Sequence, residues 1–119
     1  MFSLKKFLLS FKYAAGGVKA AYKKEQSFKI MLWVALIVLG LAFVLKLNNL
    51  EKAIITLSCG FVLGLELLNS QIEKILDIIQ PCLDHRVKHI KDLSAGAVLI
   101  ASASAVLVAF FIFLPYMLK

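Results

Sequence analysis

The sequence is poor in proline and glycine, with 2 and 6 residues, and this leaves little room for linkers or low-complexity stretches. It has no internal repeat, so the single domain that its length suggests, over residues 1–119, is the expected organisation. Cysteine is scarce as well. Cys59 lies in an apolar run and Cys82 in a polar segment, so the two belong at different depths and no disulfide is expected. The N-terminal apolar residues are interrupted by lysines. A compact hydrophobic stretch with a small-residue cleavage site is missing, which argues against a secretory signal. Charge is sparse at 18% of residues and acidic groups are the rarer kind, 7 against 14 basic.

What the sequence has in abundance is apolar side chains, 61% of the total, with a mean hydropathy of +0.89. A soluble domain of this size would carry more charge. The net charge of +7 would suggest nucleic acid on a soluble protein. On so apolar a chain it points instead to anionic lipid headgroups and phosphate-bearing substrates, and no nucleic-acid partner is expected.

The expected fold is an all-α integral membrane protein with an N-terminal amphipathic surface helix and three transmembrane helices. The surface helix is expected over 2–28. Within it Leu4, Leu8, Phe11, Ala15, Val18 and Tyr22 recur at steps of four and three, and Lys5, Lys6, Lys12, Lys19 and Lys23 fall largely off that stripe. A basic helix with an apolar face lies in the membrane interface, the alternative being a core helix of a soluble domain. The spanning helices are expected over 30–47, 53–77 and 94–118. The first has an uncharged run, 30–45, slightly short of the roughly 20 residues of a full span, and the stem of Lys46 can snorkel to extend it. A polar turn follows at Asn48-Asn49 and Glu51-Lys52. The second span carries Gly60 and Gly64, a small-xxx-small pair suited to close helix approach, before Gln80-Pro81 breaks it. Asp92 or Ser94 is the expected cap of the third, whose Ala97, Ala101, Ala105 and Ala109 recur every fourth residue. Most lysines and arginines fall before the first span or between the second and third. Lys46, Lys52 and Lys119 fall on the other side, so the N-terminus is expected in the cytoplasm and the C-terminus outside.

The informative stretch is Glu66-Leu67-Leu68-Asn69-Ser70-Gln71-Ile72-Glu73. Glu66, Asn69, Glu73 and Asp77 are three or four apart and line one face of one helix. An ionisable group inside a span is costly, so Glu66 is a functional candidate by default; the bland alternative is a carboxylate paired with a lysine or a headgroup at the boundary. Glu25, set among lysines before the first span, reaches the same interface as Glu73. Two carboxylates there suit Mg²⁺, which is held by one or two carboxylates plus phosphates, although a solvated Glu25 paired with Lys24 or Lys29 fits equally well. His85 and His89, with Cys82 and Asp84, make a weak zinc pattern without HExxH. Gly16-Gly17 is followed by no Gly-Lys-Ser/Thr, and no protein-kinase glycine loop or DFG occurs.

With these residues the chain resembles the prokaryotic diacylglycerol kinase family, which includes the undecaprenol kinases of Gram-positive bacteria. The likeness runs nearly end to end. It rests on Ala20-Ala21-Tyr22 leading to Glu25 and Phe28, on Glu66-Leu67-Leu68-Asn69-Ser70 with Ile72-Glu73 and Asp77, and on Lys91-Asp92 followed by Gly96-Ala97-Val98-Leu99. The resemblance implies an ATP-dependent lipid kinase of a bacterial cell (inner) membrane, a homotrimer whose active sites lie at the cytoplasmic interface between subunits. It implies Glu66 as catalytic base and Glu25 and Glu73 as the carboxylates that hold ATP–Mg²⁺. Lys6, Tyr13, Asn69, Lys91 and Asp92 would match nucleotide contacts, and Ala95 with Glu66 would meet the lipid. Two departures stand out: Lys6 where an arginine is usual, and Cys82-Leu83-Asp84 where the family tends to have Glu-Tyr-His. Lys29-Ile30, Ala95-Gly96-Ala97-Val98 and Phe113-Leu114-Pro115 look more like the undecaprenol kinases, so undecaprenol is the favoured lipid alcohol and diacylglycerol the other. A small multi-span transporter using an intramembrane Glu is the rival function, but it needs neither the polar row on the second span nor Glu25 and Lys91-Asp92. A non-catalytic membrane scaffold, the remaining rival, would have no use for a buried Glu66 and Asn69.

Overall fold

The computed structural model describes residues 3–79 and 84–118, and these form four helices and no strand. Helix α1 (Leu4–Lys24) starts at Ser3, whose side chain accepts from the Lys6 N–H, and ends with Lys23 and Lys24 in its last turn, where cations favour the negative end of the helix dipole. It stops short of the expected 28. Glu25 adopts an extended conformation (φ −107°, ψ 106°), and helix α2 (Gln26–Val44) begins at the next residue. That one residue turns the chain from the surface helix into the first crossing. Buried Ala21 and Phe28 on either side lock the elbow.

Starting α2 at Gln26 supplies the length that Lys46 was expected to provide. Its 19 residues rise about 28 Å at 1.5 Å each, close to the roughly 30 Å of a hydrocarbon core. Its far end is a Schellman turn. The Leu47 N–H donates to the Ala42 carbonyl, the Lys46 N–H donates to Phe43, and Lys46 takes the left-handed conformation (φ 57°) that this cap requires.

Helix α3 (Asn49–Ile79) opens earlier than the expected 53, on a reciprocal capping box. The Glu51 N–H donates to Asn48 Oδ1 at 2.9 Å and the Asn48 N–H donates to Glu51 Oε1 at 3.1 Å. Helix α4 (His85–Met117) starts nine residues before 94, because Asp84 caps it through the Arg86 N–H at 2.8 Å; Asp92 and Ser94 are interior, not caps. The side-chain and then the backbone hydrogen bonds from Arg86 also hold the Asp84 carboxyl below its usual range. Pro115 lies two residues from the end of α4, where the backbone bond it removes matters little.

Helices α2, α3 and α4 are each long and apolar enough to cross a membrane, and only 17%, 17% and 11% of their most apolar stretches are buried within the chain. The protein is an integral membrane protein of three crossings with α1 beside them. The largest contact is between α3 and α4. Ala101 of the alanine row is buried and Ala105 and Ala109 are half-buried, whereas Ala97 is exposed. Gly60 and Gly64 are exposed, with nothing within 4 Å of an added Cβ, so the close approach expected of this pair is not used within the chain.

The packed core, Ala42, Leu47 and Ile55 with Val108, Ile112 and Phe113 against them, sits at the α2–α3 turn. There the Tyr116 hydroxyl donates to Glu51 Oε1, tying the end of α4 to the capping box. Glu51→Ala removes the acceptor of both contacts and is expected to lower stability by about 1–2 kcal/mol, read as a shift in the denaturation midpoint in detergent. An unchanged midpoint would mean that the latch contributes nothing.

Candidate active site

At the opposite end of the bundle the charged stretches of three elements meet. Helix α3 supplies the row. Glu66 and Ser70, at 6% and 8% exposure, are the buried polar side chains among the described residues. One turn beyond Glu66, the Asn69 amide nitrogen donates to Glu73 Oε1 at 3.4 Å, and Asn69 Oδ1 is buried without a hydrogen-bond partner. The side chains therefore pass from a buried carboxylate, through an amide with a spare acceptor, to a carboxylate in water. Helical spacing is the cause, since residues three and four apart stack along one face.

The elbow and α4 are stitched to this row by ion pairs. Lys74 reaches Glu25 at 3.1 Å, which brings the α1–α2 junction onto α3. Lys91 reaches Asp77 at 2.7 Å, which brings α4 onto α3, and Lys88 pairs with Asp92 at 2.7 Å. Glu73 and Glu25 each lie within electrostatic reach of Glu66. Among the described residues no lysine or arginine forms an ion pair with Glu66. The Lys74 and Lys91 ammonium groups are held beside the row by carboxylates that a phosphate chain can replace. Exposed pairs of this kind contribute about 0–1 kcal/mol, so exchanging them costs little.

Among the described residues no three histidine, cysteine, aspartate or glutamate side chains converge to hold a metal by themselves. The oxygens of Glu25 and Glu73, both partly exposed and at the same end of α3, fit a hard divalent ion that takes its other ligands from phosphate and water. His85 and His89 share a face of α4 and form no such group; Cys82 lies outside the described residues.

Helical spacing and ion pairs gather Glu66, Asn69 and Glu73 on α3, Glu25 through Lys74 and Lys91 through Asp77; Asp92 follows Lys91 on α4 and pairs with Lys88 of its own helix. Ala95 is exposed one turn further along the same helix. The structure does not bring Lys6 and Tyr13 to this group within one chain. Both are exposed on α1, Tyr13 at 72%, and they precede Glu25 by about 28 Å and 18 Å of helix rise. Lys74 joins the site as the partner of Glu25, and Asp77, expected on the row by helical spacing, is the partner of Lys91. Sequence carried no signal for Lys74, because Lys24 and Lys29 offered Glu25 nearer cations and the pair that forms joins two helices.

An apolar groove of about 290 Å³ runs between α2, α3 and α4, lined by Val34, Val38, Val62, Leu63, Ser102 and Ala105 among others. On the α3 side it ends at Leu63, one turn before Glu66.

Comparison with known proteins gives a consistent picture. The family described as prokaryotic diacylglycerol kinase matches the chain over residues 12–113. A diacylglycerol kinase of Synechocystis is 36% identical over 113 residues; the match covers 94% of this chain but 65% of that protein's own length. An undecaprenol kinase of Bacillus subtilis is 34% identical over 112 residues, covering 94% of this chain and 91% of that one. A diacylglycerol kinase of Haemophilus influenzae is 34% identical over 92 residues, 77% of this chain and 78% of its own.

Proposed function

The chain belongs to the prokaryotic diacylglycerol kinase family and so to the membrane lipid kinases, and from that premise we propose that it transfers the γ-phosphoryl group of ATP to the hydroxyl of a membrane lipid alcohol, undecaprenol. The observation that carries the reading is the buried Glu66 at the end of an apolar helical run, heading a polar row that leads to Glu73. A lipid alcohol keeps its chain in the bilayer and its hydroxyl near the boundary. The groove ending one turn from Glu66 gives such a chain a lane.

Glu66 accepts the hydroxyl proton as the lipid oxygen attacks the γ-phosphorus. The bond from phosphorus to the bridging oxygen of ADP breaks, and ADP leaves. Most of the catalysis is positioning and charge stabilisation, and the lysines serve that purpose. Lys91 and Lys74 exchange their carboxylates for phosphate oxygens, and Asn69 Oδ1 and Asp92 accept from the nucleotide. Mg²⁺, held with ATP by Glu25 and Glu73, would supply neutralisation of the phosphate charge. Lys6 and Tyr13 reach the nucleotide from the α1 of a neighbouring subunit in a homotrimer. Their distance from the carboxylates within one chain, and the uncovered Gly60–Gly64 face, support that assembly.

Undecaprenol is favoured by Lys29-Ile30, Ala95-Gly96-Ala97-Val98 and Phe113-Leu114-Pro115; overall identity does not separate the lipids, at 34% to the Bacillus subtilis undecaprenol kinase and 36% to the Synechocystis diacylglycerol kinase. Detergent-purified protein given labelled ATP and a panel of lipid alcohols is expected to phosphorylate undecaprenol faster than diacylglycerol. The reverse order would reassign the substrate, and labelling of no lipid would overturn the kinase reading.

The N-terminus is read as cytoplasmic. Lys23, Lys24, Lys74, Lys88 and Lys91 gather at the end with the site, and Lys46 and Lys52 at the other. Cys82, three residues before His85 in the sequence, is expected to react with a membrane-impermeant thiol reagent in inside-out vesicles and to resist it in intact cells. Labelling from outside intact cells would reverse the orientation and separate the site from cellular ATP.

A further inference from the structure

We infer that the elbow between α1 and α2 is a binding site for the headgroup of an anionic bilayer phospholipid, distinct from the lipid that is phosphorylated. A cavity of about 580 Å³ lies in the angle of the elbow. Its upper wall carries Lys23, Lys24 and Lys29, all exposed, and none of them is in an ion pair among the described residues. The nearest carboxylate in sequence, Glu25, is taken by Lys74. Three lysines thus line one space, and among the described residues none has a carboxylate counter-ion.

Below them the wall changes character. Ile30, Val34 and Ile37 recur at steps of four and three along α2, so they form one apolar stripe that descends from the lysines into the membrane, and all three are exposed. Between the two parts lies an ordered aromatic pair. Trp33 Nε1 donates to the Tyr22 hydroxyl at 3.1 Å, and Lys29 Nζ stands 5.3 Å from the centre of the Tyr22 ring. Tryptophan and tyrosine favour the headgroup level, so the pair marks the depth at which the lysines sit. A cationic rim over an apolar stripe at that depth matches one phosphate carrying acyl chains.

The chemistry separates this lipid from its competitors. Ile30 and Val34 also border the groove between α2, α3 and α4, but an uncharged lipid alcohol would leave the three lysines uncompensated, and Glu66 does not line the elbow cavity. A free phosphate ion would use the rim and leave the stripe bare. A phospholipid fills both, and each lysine near an anionic leaflet gains from it.

The test uses Trp33, the single tryptophan of the chain, as a reporter in the cavity. The full chain is reconstituted in phosphatidylcholine containing increasing brominated-acyl phosphatidylglycerol, and in the mirror mixture with the bromine on phosphatidylcholine. Bromine quenches tryptophan at contact, so the two curves give the relative occupancy beside Trp33. The expected result is a preference for phosphatidylglycerol on the order of five-fold or more, the gain typical of a single lysine at a charged leaflet. The combined variant Lys23→Gln, Lys24→Gln, Lys29→Gln is expected to lose the preference, and arginine at the same three positions to keep it. The control Lys5→Gln, Lys12→Gln, Lys19→Gln changes the charge equally and is expected to keep it too. Equal quenching by both lipids in the parent would overturn the site. So would equal loss in the control, which would indicate a diffuse field rather than a site. Quenching by brominated phosphatidic acid alone would assign the cavity to a phosphomonoester product, and displacement by inorganic phosphate at constant ionic strength would assign it to a free ion; both would overturn the proposal. The readout needs no turnover, so it stands or falls independently of the kinase reading.

Discussion

Glu73→Gln is expected to raise the Mg²⁺ concentration for half-maximal rate by about ten-fold or more, and Glu25→Gln to do the same, because each replaces a charged oxygen ligand by a neutral one. The two variants separate ligand loss from structural damage in different ways. Glutamine at 73 keeps a carbonyl oxygen for the Asn69 amide, which donates to Glu73 at 3.4 Å, so the geometry of the row survives. Glutamine at 25 frees Lys74 from its ion pair, but both side chains are partly exposed and the loss of stability is expected to stay within about 1 kcal/mol. Glu25 is also the extended residue that turns α1 into α2, and that backbone role does not depend on its charge. The measurement is rate against Mg²⁺ at saturating ATP and lipid, with the denaturation midpoint alongside. A variant that kept the parent's Mg²⁺ dependence and rate would remove its carboxylate from the metal site.

The elements were legible in the sequence because lipid-facing helices need little more than length and apolarity, and those are composition. Their ends were less legible, because local geometry decides them. Glu25 has no strong breaker character, so the surface helix was expected to run through it; the buried pair Ala21 and Phe28 on either side fixes the bend. Asp84 outcompetes Asp92 and Ser94 as a cap because Arg86 satisfies it both from the backbone and from the side chain. The row Glu66, Asn69, Glu73 was legible because helical spacing alone aligns it. The pairing of Glu25 with Lys74 was not, because it joins residues that only the elbow brings together. Lys6 and Tyr13 came only from the family resemblance, and one chain folded alone keeps them apart from the row.

Glu66→Gln is expected to lower kcat by at least about 10²-fold, the contribution typical of a positioned general base. The substitution is nearly isosteric and keeps a hydrogen-bonding group at the same depth, so positioning of the lipid hydroxyl is retained while the capacity to take its proton is lost. ATP–Mg²⁺ binding is expected to change little, since Glu25, Asn69 and Glu73 remain, and a direct nucleotide-binding measurement separates this loss from the Mg²⁺ phenotype of the other two carboxylates. Stability provides a second check. Glu66 is buried at 6% exposure with no ion-pair partner among the described residues, so replacing it with a neutral side chain removes a charge that the membrane disfavours. The variant is therefore expected to be as stable as the parent or more so, while nearly inactive, a combination that a structural role for Glu66 does not produce. Turnover within a few-fold of the parent would take Glu66 out of the proton transfer and leave the lysines, Asn69 and the nucleotide-bound metal to carry the reaction by positioning alone.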